Sequence, residues 1–387
     1  MILTAYYINT GCDFVIEIRE VKTRKERVAF IEFPNKMYAD NAYYVPSLVS
    51  DELTNIDEKK NPAFDFCDMR FFLAYRDGKI VGRVGGIINH ASNDKWNQQR
   101  IRLTRLDFID DYEVSAALMK TIEDWGRAEK LKEIVGPVGF CDQDKEGMLI
   151  DGFDEPSMFI TYYNHPYYMK HMEKLGYVKD VDWVESRLYT KLKEEEKMAK
   201  LCEYIKKRYK LSVINIKNKK QLKPYIKKLF DMVDREYSKL YGSVPFTPRL
   251  IEHYLSQFLL LVDCRFVKFI ENEQGELIAF GLAVANLNEP VRRSKGHLFP
   301  FGWAEFLWRS QHAKVLDLYL IAVDSNHRRS GASALLIWEM LKVAREAGIE
   351  TAETGPNLEE NQDIRALWNW FEGEKNIRRR RSWVKQL

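Results

Sequence analysis

The feature that most constrains this chain is that it says the same thing twice. In the first half a strand-like run, "FVIEIREV", is followed by a helical stretch ending in "MYADNAYYVP", then by "DMRFFLAYRDGKIVGRVGGIIN", "KLKEIVGPVGF" and "DWVESRLY". The second half runs in the same order through "LSVINIKN", "REYSKLYGSVP", "DCRFVKFIENEQGELIAFGLAVAN", "GIETAETGPNLE" and "RSWVKQL". Val45-Pro46 answers Val244-Pro245, Arg70-Phe71 answers Arg265-Phe266, Gly136-Pro137 answers Gly355-Pro356, and Trp183-Val184 answers Trp383-Val384. One dipeptide match carries little, but matches kept in one order mark a duplicated unit, and a duplication sets the fold before local propensity does. At 387 residues the chain is also longer than one hydrophobic core usually serves.

Between the copies lies "KLKEEEKMAKLCEYIKKRYK", polar except for Met198, Leu201, Cys202 and Ile205, which fall at helical spacing. This predicts an amphipathic connecting helix. It divides the chain into a first lobe at 1–191, a linker helix at 192–210 and a second lobe at 211–387. Within each copy strands alternate with helices around a tight turn, Asp77-Gly78 in the first and Gln274-Gly275 in the second. The pattern predicts an α/β fold of two fused lobes, each a mixed twisted sheet flanked by helices. Residues 114–132 and 333–347 form the corresponding long helices, the second closed by Gly348.

Composition excludes more than it assigns. Apolar residues make up 45% and charged residues 30%, and a net charge of +3 does not demand a polyanionic partner, so nucleic acid is not expected. No apolar run approaches the roughly 18 residues of a membrane span, and the N-terminus lacks a signal-peptide pattern, which predicts a cytoplasmic protein without a membrane partner. Cys12, Cys67, Cys141, Cys202 and Cys264 are odd in number and widely spaced, and read as reduced packing residues. The histidines show no ligand spacing, so no metal is expected. "DQDKEG", residues 142–147, begins like a calcium loop but has Phe153 where the bidentate Glu belongs, and reads as a loop shaping the cleft between lobes. "RRRR", residues 378–381, reads as a solvated face.

The stretch "SNHRRSGASA", residues 325–334, joins the apolar run "LDLYLIAV" to the helical "LLIWEMLKVAREAG". A strand feeding a glycine-containing turn that opens a helix aims backbone N–H groups and the positive end of the helix dipole at one spot, which favours phosphate. This hinge and the order of elements resemble the GNAT superfamily of acyl-CoA-dependent N-acetyltransferases, whose cofactor loop reads Q/R-x-x-G-x-G/A. Here the slot holds Arg328, Arg329, Ser330, Gly331, Ala332 and Ser333, with Ser333 in place of the final Gly or Ala. Nearly the whole chain resembles two fused lobes of this kind.

The resemblance implies that acetyl-CoA binds the second lobe. Its pyrophosphate would sit on the hinge, its pantetheine amides would pair with the strand at Ile321 and Val323, and Asn361 would lead the helix after Gly355-Pro356. Asp317 is the implied base, with Glu353 on the next strand as the alternative. Strand alternation places Asp317, Tyr319, Ile321 and Val323 on one face. Trp368 stands where the family has a tyrosine that protonates the departing thiolate, and an indole does not ionise usefully. In the first lobe the corresponding "DFIDDYEVSAAL" has no glycine, and Asp107, Asp110 and Asp111 would repel a pyrophosphate. The implied reaction is transfer of an acetyl group to an unidentified primary amine. The alternatives are a non-catalytic tandem pair binding acyl-CoA or a peptide, and an aminoacyl-tRNA-dependent transferase of the tandem type. Because the lobes form an internal pseudo-dimer, a monomer suffices. Tyr43, Tyr44, Tyr237 and Tyr241, beside the repeated Val-Pro, are the candidates for lining the acceptor pocket.

Overall fold

Turn and cap chemistry set the local elements. The computed structural model describes residues 6–8, 15–297 and 302–387, so Cys12 lies outside the described residues. In the first copy the strands are β1 (Tyr6–Ile8), β2 (Ile16–Glu20), β3 (Cys67–Arg76), β4 (Lys79–Asn89), β5 (Arg100–Phe108), β6 (Glu133–Gly136), β7 (Met148–Asp151) and β8 (Val178–Tyr189). Its helices are α1 (Arg24–Met37), α2 (Val49–Asn55), α3 (His90–Trp96), α4 (Tyr112–Ala128) and α5 (Tyr167–Lys174). Thr23 and Glu26 close a capping box on α1, and Asp77 and Gly78 take the positive φ values of 50° and 73° that a two-residue hairpin turn needs.

The linker is α6 (Glu195–Tyr209). The second copy repeats the order with strands β9 (Ser212–Asn215), β10 (Val267–Glu271), β11 (Leu277–Ala285), β12 (Val315–Val323), β13 (Thr351–Thr354), β14 (Asn357–Leu358) and β15 (Lys375–Gln386). Its helices are α7 (Lys219–Tyr237), α8 (Pro248–Leu261), α9 (Asn288–Arg293), α10 (Gly302–Gln311), α11 (Ala332–Glu346) and α12 (Gln362–Trp368).

The two lobes do not keep separate sheets. A single sheet runs β1-β2-β3-β4-β5-β6-β15-β8-β13-β12-β11-β10-β9, so the last strand of each copy crosses into the other. β15 pairs with β6 of the first copy, β8 pairs with β13 of the second, and β8 and β15 lie antiparallel along the pseudo-twofold. The sequential division at 191 and 211 therefore marks the linker, while the structural lobes exchange their final strands. The repeated Trp-Val pairs lie on these crossing strands, with Trp183 and Trp383 each 2% exposed.

The exchange overturns the solvated reading of the arginine run. β15 is a central strand, so Arg378 and Arg380 are fully buried. Glu185 of β8 binds both of them, with Arg378 Nε donating to its Oε2 at 2.5 Å. Arg379 and Arg381 point the other way and share Asp182. Buried charges persist only when paired in this fashion.

The linker helix packs as its spacing predicts. Met198, Cys202 and Ile205 are buried in one cluster with Ala332, Leu335 and Leu336 of α11, and Leu201 packs against it. Cys67, Cys141 and Cys202 are buried and Cys264 half-buried, all as free thiols.

Candidate active site

The second lobe opens between β12 and β13. The parallel pairing runs only from Val315–Thr351 to Leu318–Thr354; Gly355 N–H then donates to Leu318 C=O at 3.2 Å and the chain turns away at Pro356. Beyond Leu318, β12 has β11 on one side alone. Asp324 N–H donates to Ile278 C=O at 2.8 Å, which sets the register so that Ile321 and Val323 turn their backbone groups away from β11, into the splay. The Tyr237 hydroxyl of α7 reaches this edge. It donates to Ile321 C=O at 2.8 Å and accepts from Ile321 N–H at 3.3 Å.

A bulge in the β11–β12 ladder corrects the expected strand face. Leu282 pairs with Leu320 and Ala283 with Leu318, leaving Tyr319 as the extra residue. Tyr319, Leu320 and Ala322 consequently pack with α7, whereas Leu318, Ile321 and Val323 pack on the α11 side. Ile321 and Val323 do not share a face with Tyr319; what they present to the splay is backbone.

The two candidate bases have different surroundings. Asp317 is fully buried; Asn286 Nδ2 donates to its Oδ1 at 2.7 Å, and its Oδ2 has no hydrogen-bond partner among the described residues. Burial, reinforced by nearby Glu353, pushes its carboxyl up to about 7, against the effect of Asn286 and Arg378. Tyr319, whose hydroxyl is likewise without a partner among the described residues, is held protonated well above the usual phenol range by burial, reinforced by the nearby Asp317 carboxylate. Glu353 is tied up at both oxygens. Arg187 holds Oε1 at 2.6 Å and Arg378 holds Oε2 at 2.7 Å, which suits it to anchoring β13 to the seam rather than to accepting a proton.

At the hinge a 3-10 turn, Ser325–Ser330, leads into Gly331, whose φ of 79° is left-handed and favours glycine. A Cβ there would also lie 2.5 Å from Ile205 Cδ1 of the linker helix. Gly331 is thus required by the fold as well as suited to a ligand. Ser330 Oγ accepts from Ala332 N–H at 3.2 Å, while the N-cap residue of α11, Gly331, brings no capping side chain. Arg328 makes two long ion contacts, 3.5 Å to Glu236 and 3.7 Å to Asp363, while Arg329 is exposed and forms no ion pair among the described residues. Ser333 is half-buried at the first turn of α11. Asn361 caps α12 by accepting from Ile364 N–H at 3.4 Å.

The splay belongs to a cavity of about 470 Å³ that reaches across both lobes. Ile321, Tyr319, Asn361 and Trp368 line it; Asp317 and the 328–333 hinge do not. The second lobe supplies a wall of Leu222, Ile226, Leu229, Phe230 and Val233 from α7. The first lobe supplies Glu52, Arg105, Tyr162 and the whole 142–146 segment, so the "DQDKEG" loop does face the cleft. Tyr237 and Tyr241 also line it; Tyr43 and Tyr44 do not.

The charged wall is electrostatically tuned. Burial pushes Asp142 up to about 6 and Asp144 up to about 7, although Asp144 Oδ2 accepts from the backbone of Phe140 and Cys141. Burial also brings the Lys145 ammonium down to about 8; it donates to Ser47 Oγ at 2.6 Å. Glu52 resists the same burial because Arg105 binds it at 2.8 Å, holding its carboxyl at about 2. Arg105 itself occupies a strained backbone position, φ 48°, at the bulge of β5. Titratable groups shifted toward neutrality and gathered in a cleft are the signature of a functional site. The Glu52–Arg105 pair and the tuned Lys145 were beyond reach of the sequence, since no spacing links α2 to β5 or to the loop.

Comparison with known proteins agrees with this geometry. Residues 226–369 match the Acetyltransferase (GNAT) family. The chain is 29% identical to Protein YghO of Escherichia coli (strain K12), over 76% of this chain and 74% of that one. It is 26% identical to the bacterial ceramide synthase of Caulobacter vibrioides (strain NA1000 / CB15N), over 86% of each. Among solved structures, a tandem GNAT protein from the clavulanic acid biosynthesis pathway superposes with a TM-score of 0.56 at 12% identity, over 96% of this chain and 98% of that one. No helix among the described residues is long and apolar enough to cross a membrane.

Proposed function

Because this chain is a two-lobe protein of the GNAT superfamily, we propose that it is an acyl-CoA-dependent N-acyltransferase whose second lobe takes the donor and whose inter-lobe cavity takes an amine with a long apolar tail. The observation that carries this reading is the cavity itself, with titratable groups of the first lobe on one side and the aliphatic and aromatic side chains of α7 on the other. Its volume of about 470 Å³ lies within the roughly 300 to 1,000 Å³ usual for small-molecule sites. A relative covering 86% of the chain is named a ceramide synthase, which supports a lipid-like amine rather than a small polar one.

The hinge fits a CoA ester. Its helix start has glycine at the N-cap with only Ser330 Oγ on Ala332 N–H, Gly331 keeps the turn narrow, Arg329 has no competing carboxylate among the described residues, and Ile321 and Val323 present backbone groups to the splay. When bound, an acyl-CoA supplies an acyl group activated as a thioester. Arg328 and Arg329 would neutralise its phosphates, and the β12 edge would orient it once the Tyr237 hydroxyl gives way. Asp317 would accept the proton of the amine through water, since it lies behind the cavity wall and is not hydrogen-bonded to the Tyr319 hydroxyl that lines it. The Asp317 carboxyl at about 7 is well matched to that task at neutral pH. Backbone N–H groups of β12 in the splay are the donors available to the developing oxyanion.

The test is thiol release from acetyl-, octanoyl- and palmitoyl-CoA with amines of increasing chain length. A buried methylene is worth about 0.8 kcal/mol, so kcat/KM should rise up to about fourfold per added carbon until the cavity is filled. A flat chain-length profile with acetyl-CoA as best donor would return the protein to acetylation of a small amine. CoA binding without thiol release would favour the non-catalytic alternative.

A further inference from the structure

Helix α10 is inside out for a surface helix. Its exposed positions are Trp303, Ala304, Leu307, Trp308 and, at the C-terminal end, Gln311, with Trp303 and Leu307 at 48% and Trp308 at 58%. Its two charged residues lie on the more covered side, where Glu305 and Arg309 are about one third exposed at the side chain and Arg309 binds Glu289 of α9 at 2.5 Å. Surface helices of soluble proteins turn this arrangement the other way round, and a contiguous apolar face marks an interaction site. The Trp308 ring is held in place, stacked on His312 at 4.6 Å with Arg309 over it at 5.6 Å.

We propose that this face of α10 docks on an anionic lipid bilayer. Two paired observations select that occupant. Arg292, on α9 against which α10 packs, and Lys295, two residues past the end of α9, are exposed and form no ion pair among the described residues, which leaves two unpaired cations in the segment adjoining the docking helix. Tryptophans flanked by basic side chains suit the boundary between headgroups and acyl chains, where an amphipathic helix lies in the plane of the interface. Four side chains on one short helix also fall far short of the roughly 20 to 30 residues a side that a stable protein interface buries. The sequence led to the expectation of no membrane partner, but its ground was the lack of an apolar run long enough to span a bilayer, and a helix lying on the surface needs no such run.

The position of the helix adds a consequence. α9 buries Val291 against Leu48 and Phe159, both of which line the cavity, and Gly296 C=O accepts from Val49 N–H at 3.0 Å beside cavity-lining Ser47. The docking face is therefore attached to the cavity wall, so that an amphiphile leaving the bilayer would have a short path to the site. This consequence rests on the lipid-amine reading; the docking itself does not.

Full-length protein is to be sedimented with phosphatidylcholine vesicles and with mixed phosphatidylcholine–phosphatidylglycerol vesicles. The wild type should partition to the mixed vesicles, and the pair Trp303→Ser and Trp308→Ser should lose about tenfold or more with an unchanged melting temperature. Arg292→Gln with Lys295→Gln should lose about fivefold per charge on the mixed vesicles and little on the neutral ones. A wild type that ignores both vesicles, or a tryptophan variant that sediments like the wild type, overturns the proposal. So does a dimer in light scattering that the tryptophan variant converts to monomer, which would assign the face to a second copy. CoA binding followed by thermal shift is read separately on the same proteins, so failure of the enzymatic reading and failure of the docking are told apart.

Discussion

The two lobes carry the same elements in the same order, yet one fills its ligand positions with its own side chains and the other does not. At the first long helix, α4, Asp111 caps the N-terminus by accepting from Glu113 and Val114 N–H, and Arg76 binds the same carboxylate at 2.6 Å. The first lobe thus supplies its own anion. At the equivalent end of α11 stands Gly331, which has no side chain to cap with, and the acceptor there is the neutral Ser330 hydroxyl on Ala332 N–H rather than a carboxylate. The strand edges differ in the same sense. Ile109 N–H donating to Val81 C=O makes Phe108 the counterpart of Val323, and Phe108 has both backbone groups taken: its N–H by Tyr168 Oη at 2.9 Å and its C=O by Tyr167 Oη at 2.5 Å. In the second lobe one hydroxyl, that of Tyr237, covers Ile321. Asp107, expected to repel a pyrophosphate, instead pairs with Arg83 at 2.7 Å in the core. What distinguishes the lobe proposed to bind the donor from the other is who occupies the donor groups that the shared architecture leaves over.

The comparison can be broken most severely at the seam. Arg378→Met should cost about 3 to 5 kcal/mol, because it leaves Glu185 and Glu353 with one fewer buried counter-charge, and calorimetry should register one cooperative transition since each lobe holds the other's last strand. Two separate transitions would contradict the exchange. Asp317→Asn should lower kcat/KM by about 100-fold or more and remove the rise in rate through about pH 7. It also bears on stability. A carboxyl whose folded value is raised to about 7 makes the fold bind a proton that the unfolded chain has released, so its contribution to stability falls as pH climbs from about 4 to about 7. Denaturant midpoints at pH 5 and 8 should therefore converge in the variant relative to the wild type.

Smaller effects sharpen the asymmetry. Arg329→Glu should weaken CoA binding by about tenfold in titration calorimetry without moving the melting temperature, as it forms no ion pair among the described residues. Asp111→Ala should do the reverse, losing about 1 kcal/mol of stability with CoA affinity unchanged. Tyr237→Phe should tighten CoA binding by a few fold, since the unliganded β12 edge then loses hydrogen bonds worth about 1 kcal/mol each. Equal affinity in this variant would mean that the donor does not use Ile321.

By itself the sequence determined the duplication, the linker helix, the hairpin turns, the α/β class and the hinge between β12 and α11, because each rests on neighbours within a few turns or on a repeated order. It also pointed to the 142–146 loop and to Tyr237 and Tyr241 through their place beside the cleft and the repeated Val-Pro. Only the tertiary structure decided which strand lies beside which. Glu185 and Arg378 stand 193 positions apart, and nothing local in "RRRR" distinguishes a solvated face from the buried centre of a shared sheet. The β12 bulge, which moves Ile321 and Val323 off the Tyr319 face, arises from pairing with β11 and leaves no mark in the alternation. The cavity is decided the same way, since its apolar wall comes from one copy and its charged wall from the other, and burial between them is what moves Asp144 and Lys145 toward neutrality.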